Sequence, residues 1–176
     1  MEILVWCPRT WPDSRWICRR AEKRQDIQSQ IYWALKKYLL DTNICAYFLN
    51  GKFNLDLKID EVGFENCSIS EITIAELKYG VAKSTNKEKN QKTLERFQSK
   101  IDILPIFPTL DIYAEEKARL KIKGRILDDF DLLIGSTAIF NDLTLVTKNV
   151  TDFERLEGIV IEDWTIQWSG SDRIVK

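Results

Sequence analysis

The sequence predicts an α/β domain with a central, mainly parallel sheet flanked by helices on both faces. Short apolar runs of strand length recur at Lys37–Leu40, Glu65–Ile69, Ile103–Phe107, Thr144–Thr147 and Ile159–Glu162. Most are followed by a segment of helical period, the alternation that crossovers between parallel strands require. Helix-capping residues stand where strands give way to helices, as at Asp41, Ser70 and Thr109.

Residues 1–35 stand apart from this pattern. They hold four of the six tryptophans, two of the four prolines, six basic and four acidic residues. No stable period runs through residues 1–20, and residues 21–35 read as a short helix, so the segment is expected to be a poorly ordered or partly helical extension. The α/β domain is expected at 36–166 and a tail at 167–176.

Within the domain, Lys37–Leu40 is the first strand and Thr42–Leu49 the helix after Asp41. Glu65–Ile69 follows as a strand, and Ser70 is placed to cap a helix over Glu71–Lys83, whose stripe is read as Ile72, Ala75 and Tyr79. Asn86–Lys100 is a charged helix marked by Leu94, Phe97 and Ile101. After the strand Ile103–Phe107, Thr109 is expected to cap Leu110–Lys123, with a stripe of Ile112 or Tyr113, Ala114, Ala118 and Leu120, and Gly124 to end it. Asp129–Asn141 is the next helix, then come the strand Thr144–Thr147 and an edge strand Ile159–Glu162.

Composition narrows the chemistry. The 176 residues contain 26 Lys plus Arg against 27 Asp plus Glu, so any surface for a polyanion is local. No run of about 18 apolar residues exists, and the expectation is a cytoplasmic protein that does not engage a membrane. Cys7, Cys18, Cys45 and Cys67 form no C-x-x-C pair and read as reduced. Histidine is absent, which excludes serine–histidine and cysteine–histidine mechanisms and leaves carboxylates as the titrating groups near neutral pH.

The carboxylates sit at strand-to-helix junctions, where open parallel sheets build their sites. Asp41 follows the first strand; taken alone, it reads as a helix cap. Glu76, four residues after Ile72, falls on the edge of its helix's apolar stripe, where a carboxylate needs a partner or a cation to offset desolvation. Asp128, Asp129 and Asp131 open one helix, more acid within four residues than its dipole calls for. Thr147, Asn149 and Asp152 follow the fourth strand, where turn chemistry is an equal explanation. Such hard oxygen donors suit Mg²⁺, with Mn²⁺ able to substitute, and phosphodiester hydrolysis by metal-activated water is the reaction that needs this set and little else.

From about Lys36 to Trp164 the chain resembles the PIN-domain ribonucleases, most closely the VapC toxins of type II toxin–antitoxin systems. The resemblance lies in YLLDTN at 38–43, SISEITIAELKYG at 68–80, GRILDDFDLLIGSTA at 124–138, LVTKNVTDF at 145–153 and EDW at 162–164. It implies a PIN-like fold and a Mg²⁺-dependent endoribonuclease, usually a homodimer, inhibited by a cognate VapB-like antitoxin. Asp41, Glu76 and Asp131 match the family's three central acidic residues, as catalytic groups and metal ligands. Asn149 falls where many members have Asp, with Thr147 and Asp152 beside it; Asp129 matches a more variable acidic position and Asn43 the polar residue after the first aspartate. Gly135 and Ser136 replace common alanines.

Lys117, Arg119, Lys121, Lys123 and Arg125 lead into the acidic helix start, and Arg125, Lys123 and Lys148 are the candidate RNA contacts. The segment before Lys36 has no counterpart in the family. Two readings of it stay open: an upstream start, with Leu35 decoded from a UUG codon, or a Trp-rich arm that contacts a partner. Two other functions are weighed, a catalytically weak PIN-like module that binds a partner and a haloacid-dehalogenase-like phosphatase, whose second aspartate would stand where this chain has Asn43.

Mass spectrometry of the natively expressed protein separates the two readings of the leader: tryptic peptides from the segment Arg9–Lys23 overturn the upstream start.

Overall fold

The computed structural model describes residues 37–166; the expected extension and tail lie outside them. Five parallel strands form one sheet in the order β3-β2-β1-β4-β5, with β1 Tyr38–Leu40, β2 Cys67–Ser70, β3 Asp102–Leu104, β4 Thr144–Val146 and β5 Val160–Glu162. The helices among the described residues are α1 Thr42–Leu49, α2 Leu55–Val62, α3 Glu71–Ala82, α4 Lys87–Gln98, α5 Leu110–Ile122, α6 Asp129–Phe140 and the single turn α7 Val150–Phe153.

Every residue of β1 is fully buried, as a central parallel strand covered on both faces must be. Leu39 packs into a core with Leu120, Leu127, Leu132, Ile134, Ala138, Leu143, Leu145, Phe153 and Leu156, which joins β1 and β4 to α5, α6 and α7. Elsewhere Phe48, Phe64 and Phe97 form an aromatic trio with centroids 5.9–6.3 Å apart, tying α1 to α4, and Tyr38 meets Trp164 edge-on at 4.9 Å.

Three local expectations are corrected. The buried stripe of α3 is Thr73, Ile74 and Leu77, with Ala75 exposed and Tyr79 66% exposed; Glu76 keeps its place on the edge of the shifted stripe. On α5, Ala114 and Ala118 are exposed while Glu116 is buried with Leu120. Glu116 tolerates this because Arg119 grips both its carboxylate oxygens, at 2.7 and 2.5 Å, and holds its carboxyl below the usual range. Thr109 does not cap α5 through its side chain; its hydroxyl donates back to the Ile106 carbonyl at 2.8 Å.

β3 ends at Leu104, short of the expected Phe107, because Pro105 has no N–H for the ladder. The unanticipated α2 does carry a helical stripe, Leu55, Ile59 and Val62, at spacings of four and three. Ser70 caps α3 as expected, accepting from the Ile72 and Thr73 N–H groups at 3.0 and 3.3 Å.

Gly135 lies where α6 meets α7. A Cβ there would stand 2.2 Å from Leu156 Cδ1 and 3.4 Å from Phe153 Cδ1, both side chains buried. With glycine at 135, Leu156 and Phe153 can pack directly against the α6 backbone, and any side chain there would have to displace Leu156.

Two stability measurements follow. Ser70→Ala, which strips α3 of its cap, is expected to lower the unfolding free energy by about 1 kcal/mol in urea titration, and Gly135→Val by about 1–3 kcal/mol through overpacking.

Candidate active site

Parallel strands all release the chain at one sheet edge, and the winding of this sheet reverses between β1 and β4. Leu40 pairs with Val146 at the end of that register, so Asp41 and Thr147 come side by side one step later. The Asp41 N–H donates to the Val146 carbonyl at 3.0 Å, and the Thr147 hydroxyl donates to Asp41 Oδ2 at 2.6 Å.

Asp41 is only 3% exposed, and its carboxylate is almost fully engaged. Oδ1 accepts from the Thr42 N–H at 2.6 Å, which caps α1; Oδ2 accepts from the Asn43 amide at 2.5 Å as well as from Thr147. Two donors fill Oδ2, whereas Oδ1 keeps a lone pair. Burial pushes the Asp41 carboxyl up and the nearby Glu76 adds to this, against the opposing pull of the Thr147, Thr42 and Asn43 hydrogen bonds.

Glu76, half-buried on α3, accepts the Thr42 hydroxyl at 2.5 Å through Oε2. Thr42 therefore bridges two carboxylates, by its N–H to Asp41 and by its hydroxyl to Glu76. It is the residue that the sequence reading missed, although it stands inside the DTN triplet.

Asp131 lies in the first turn of α6, after the N-cap Asp128 that accepts from the Phe130 N–H at 2.9 Å. Half-buried Asp131 is pushed up to about 6, first by burial and then by the charges of Asp41, Asp128, Glu76 and Asp152. No hydrogen-bond donor among the described residues reaches its carboxyl. Asp41, Glu76 and Asp131 thus share one negative region drawn from α1, α3 and α6, although no three acidic side chains among the described residues close around a single point.

The surrounding candidates divide. Asn43 donates also to Thr147 Oγ1 at 3.2 Å and accepts from the Lys148 N–H at 3.2 Å, and the Asn149 N–H donates to Thr147 Oγ1 at 3.0 Å. As a donor to Asp41, Asn43 cannot be the second acid that a dehalogenase-like phosphatase needs. Asp152 contributes to the field at Asp131 while pairing with Arg155 at 2.7 Å. Asp129 is not brought into the cluster: it binds Lys117 at 2.6 Å, which lowers its carboxyl below the usual range.

The basic run before α6 is partly neutralised. Lys117 takes Asp129, Arg119 takes Glu116 and Glu157, and Lys123 lies 3.6 Å from Glu157. Arg125 is exposed and has no ion pair among the described residues. It lines an open cleft of about 560 Å³ with Gly124, Ile126, Thr151, Glu154 and Arg155. Lys148 is exposed too, its Nζ 5.7 Å from the ring centres of both Tyr47 and Phe53.

Against known proteins, the PIN domain matches residues 38–159. Ribonuclease VapC2 of Rickettsia felis is 40% identical over 133 residues, spanning 72% of this chain and 97% of that protein. The tRNA(fMet)-specific endonuclease VapC of Shigella flexneri is 34% identical over 130 residues, 73% of this chain and 98% of that protein. Among solved structures, DNA-bound VapBC from Salmonella typhimurium superposes with a TM-score of 0.69 at 32% identity, over 74% of this chain and 99% of that one. VapBC2 from Rickettsia felis, bound to a promoter DNA fragment, gives 0.64 at 38% identity, over 72% and 98%. With its five-stranded parallel sheet and its carboxylates gathered at the β1/β4 switch point, this chain belongs to the PIN-domain family, among the VapC ribonucleases.

Proposed function

We propose that this chain is the toxin of a type II toxin–antitoxin pair, a divalent-metal-dependent endoribonuclease that a VapB-like antitoxin holds inactive. The observation that carries this reading is the meeting of Asp41, Glu76 and Asp131 in one negative region, where the Glu76 charge pushes Asp41 up and the charges of Asp41 and Glu76 both push Asp131 up. It is supported by relatives named as ribonucleases and by structural neighbours that are VapBC pairs.

The donor set fits a hard cation. All its candidate ligands are carboxylate oxygens, those of Asp41, Glu76 and Asp131. An all-oxygen donor set is the kind Mg²⁺ takes, usually with several waters retained, and Mn²⁺ is its substitute. When bound, such an ion supplies Lewis acidity, lowering the pKa of water and offsetting phosphate charge.

Asp41 would hold it through Oδ1, because Oδ2 is filled by Asn43 and Thr147. Glu76 offers Oε1, its other oxygen being fixed by Thr42, and Asp131 offers a carboxylate without a competing donor. Thr42, Asn43 and Thr147 orient these groups, and Asn149 and Asp152 flank them. Arg125 takes a substrate phosphate from the cleft side and Lys148 from the β4 side, while Lys123 is engaged by Glu157. Water adds to phosphorus as the 3′ oxygen departs, which leaves a 5′-phosphate and a 3′-hydroxyl.

Asp41→Asn and Asp131→Asn are each expected to lower the RNA cleavage rate about 10²–10³-fold, and EDTA to abolish cleavage; full activity in EDTA overturns the mechanism. With Asp131 near 6, protons compete with the cation, so calorimetric titration should find Mg²⁺ affinity falling as pH is lowered from about 7 to about 5. The same shift has a stability sign. A carboxyl raised on folding contributes stability that is present below its unfolded value and lost as pH rises through about 6. Asp131→Asn should therefore stabilise the protein in EDTA at neutral pH, by about 1 kcal/mol once the half-exposed position is discounted for solvent screening, read as a rise in Tm.

A further inference from the structure

We infer that Tyr47 and Phe53, with Lys52 and Lys148, form a stacking subsite for a single-stranded nucleobase and its phosphate beside the carboxylates; this rests on the ribonuclease reading. Tyr47 and Phe53 meet edge-to-face at 4.9 Å, and Phe53 remains 43% exposed. Two ammonium groups lie over this pair. Lys148 Nζ is 5.7 Å from both ring centres and Lys52 Nζ 5.9 Å from that of Tyr47. Aromatic faces bordered by cations are how single strands are gripped without base-edge readout, the ring stacking on the base and the ammonium meeting the phosphate.

The platform is built in place. At its rim Phe53 and Asn54 hold φ of 61° and 52°, conformations that side-chain-bearing residues adopt only when the fold enforces them. The Lys52 N–H donates to the Tyr47 carbonyl at 2.9 Å, which folds the turn back onto α1. It is also wired to the active site. The Lys148 N–H donates to Asn43, and Asn43 donates to Asp41, so the Asn43 side-chain amide connects the Lys148 backbone to the central carboxylate. The two lysines favour a polyanion over a peptide as the occupant. None of the four residues belongs to the metal-binding set, so the subsite acts on substrate grip and register.

The test uses the full chain freed of antitoxin, in EDTA, with a single-stranded oligoribonucleotide carrying 2-aminopurine, whose fluorescence falls when it stacks. Phe53→Ala is expected to weaken binding about five-fold or more and to abolish the quenching, while Phe53→Trp restores both. In Mg²⁺, Phe53→Ala should raise KM with kcat little changed. Thermal unfolding of each variant controls for misfolding, which the exposure of Phe53 disfavours. Wild-type affinity and quenching in Phe53→Ala overturn the subsite while leaving the ribonuclease reading intact. Retained RNA affinity with lost antitoxin binding also overturns it and marks a protein contact instead. A wild-type chain that neither binds nor cleaves RNA overturns both.

Discussion

The burial of Asp41 at the end of the central strand is the constraint on which the rest of the site depends. A carboxylate 3% exposed survives only if its oxygens are hydrogen-bonded, since an unpaired buried charge costs several kcal/mol or shifts to its neutral form. The fold meets that requirement from three places: the first turn of α1, the Asn43 amide and Thr147 beyond β4. Because β1 and β4 are parallel and in register through Leu40 and Val146, Thr147 arrives beside Asp41 without any strained backbone. The core that locks β1 and β4 onto α5, α6 and α7 thereby becomes a support for the chemistry.

Around Asp41, the carboxylates are arranged against stability. Asp131 is partly desolvated and surrounded by four other acids, which a domain selected only for its fold would avoid. Two other acids of the helices α5 and α6 are matched. Glu116 has Arg119, and Asp129 has Lys117. The contrast separates acids that hold the fold together from Asp41, Glu76 and Asp131, which have no ion pair among the described residues. Asp129 belongs to the first group although it stands two residues from Asp131, because the neighbouring helix α5 presents Lys117 to it.

Much of this was legible in the sequence. The alternation of short apolar runs with helical segments marked all five strands, and the Ser70 cap and the Leu94, Phe97 and Ile101 marks lie where that reading put them. The stripes of α3 and α5 were less legible, because both helices carry polar residues at packed positions, Thr73 on one and Glu116 on the other. Glu116 is neutralised by Arg119 three residues on and accepts the Glu157 N–H from a distant segment, and neither contact shows in a pattern of apolar residues. Helix α2 was within reach, since Leu55, Ile59 and Val62 keep helical spacing, but its acidic and basic residues obscured it.

By itself the sequence determined the chemical class. A chain without histidine, with carboxylates at successive strand ends and motifs in PIN order, has hard-oxygen chemistry as its available route, because side-chain type sets which ligands and proton acceptors exist at all. Tertiary structure decided which carboxylates come together. Register placed Thr147 on Asp41, the Thr42 hydroxyl turned Glu76 towards the same region, Lys117 drew Asp129 away, and the turn after α1 set an aromatic pair beneath Lys148. Each of these depends on distances between groups far apart in the chain, and spacing along the sequence carries no record of them.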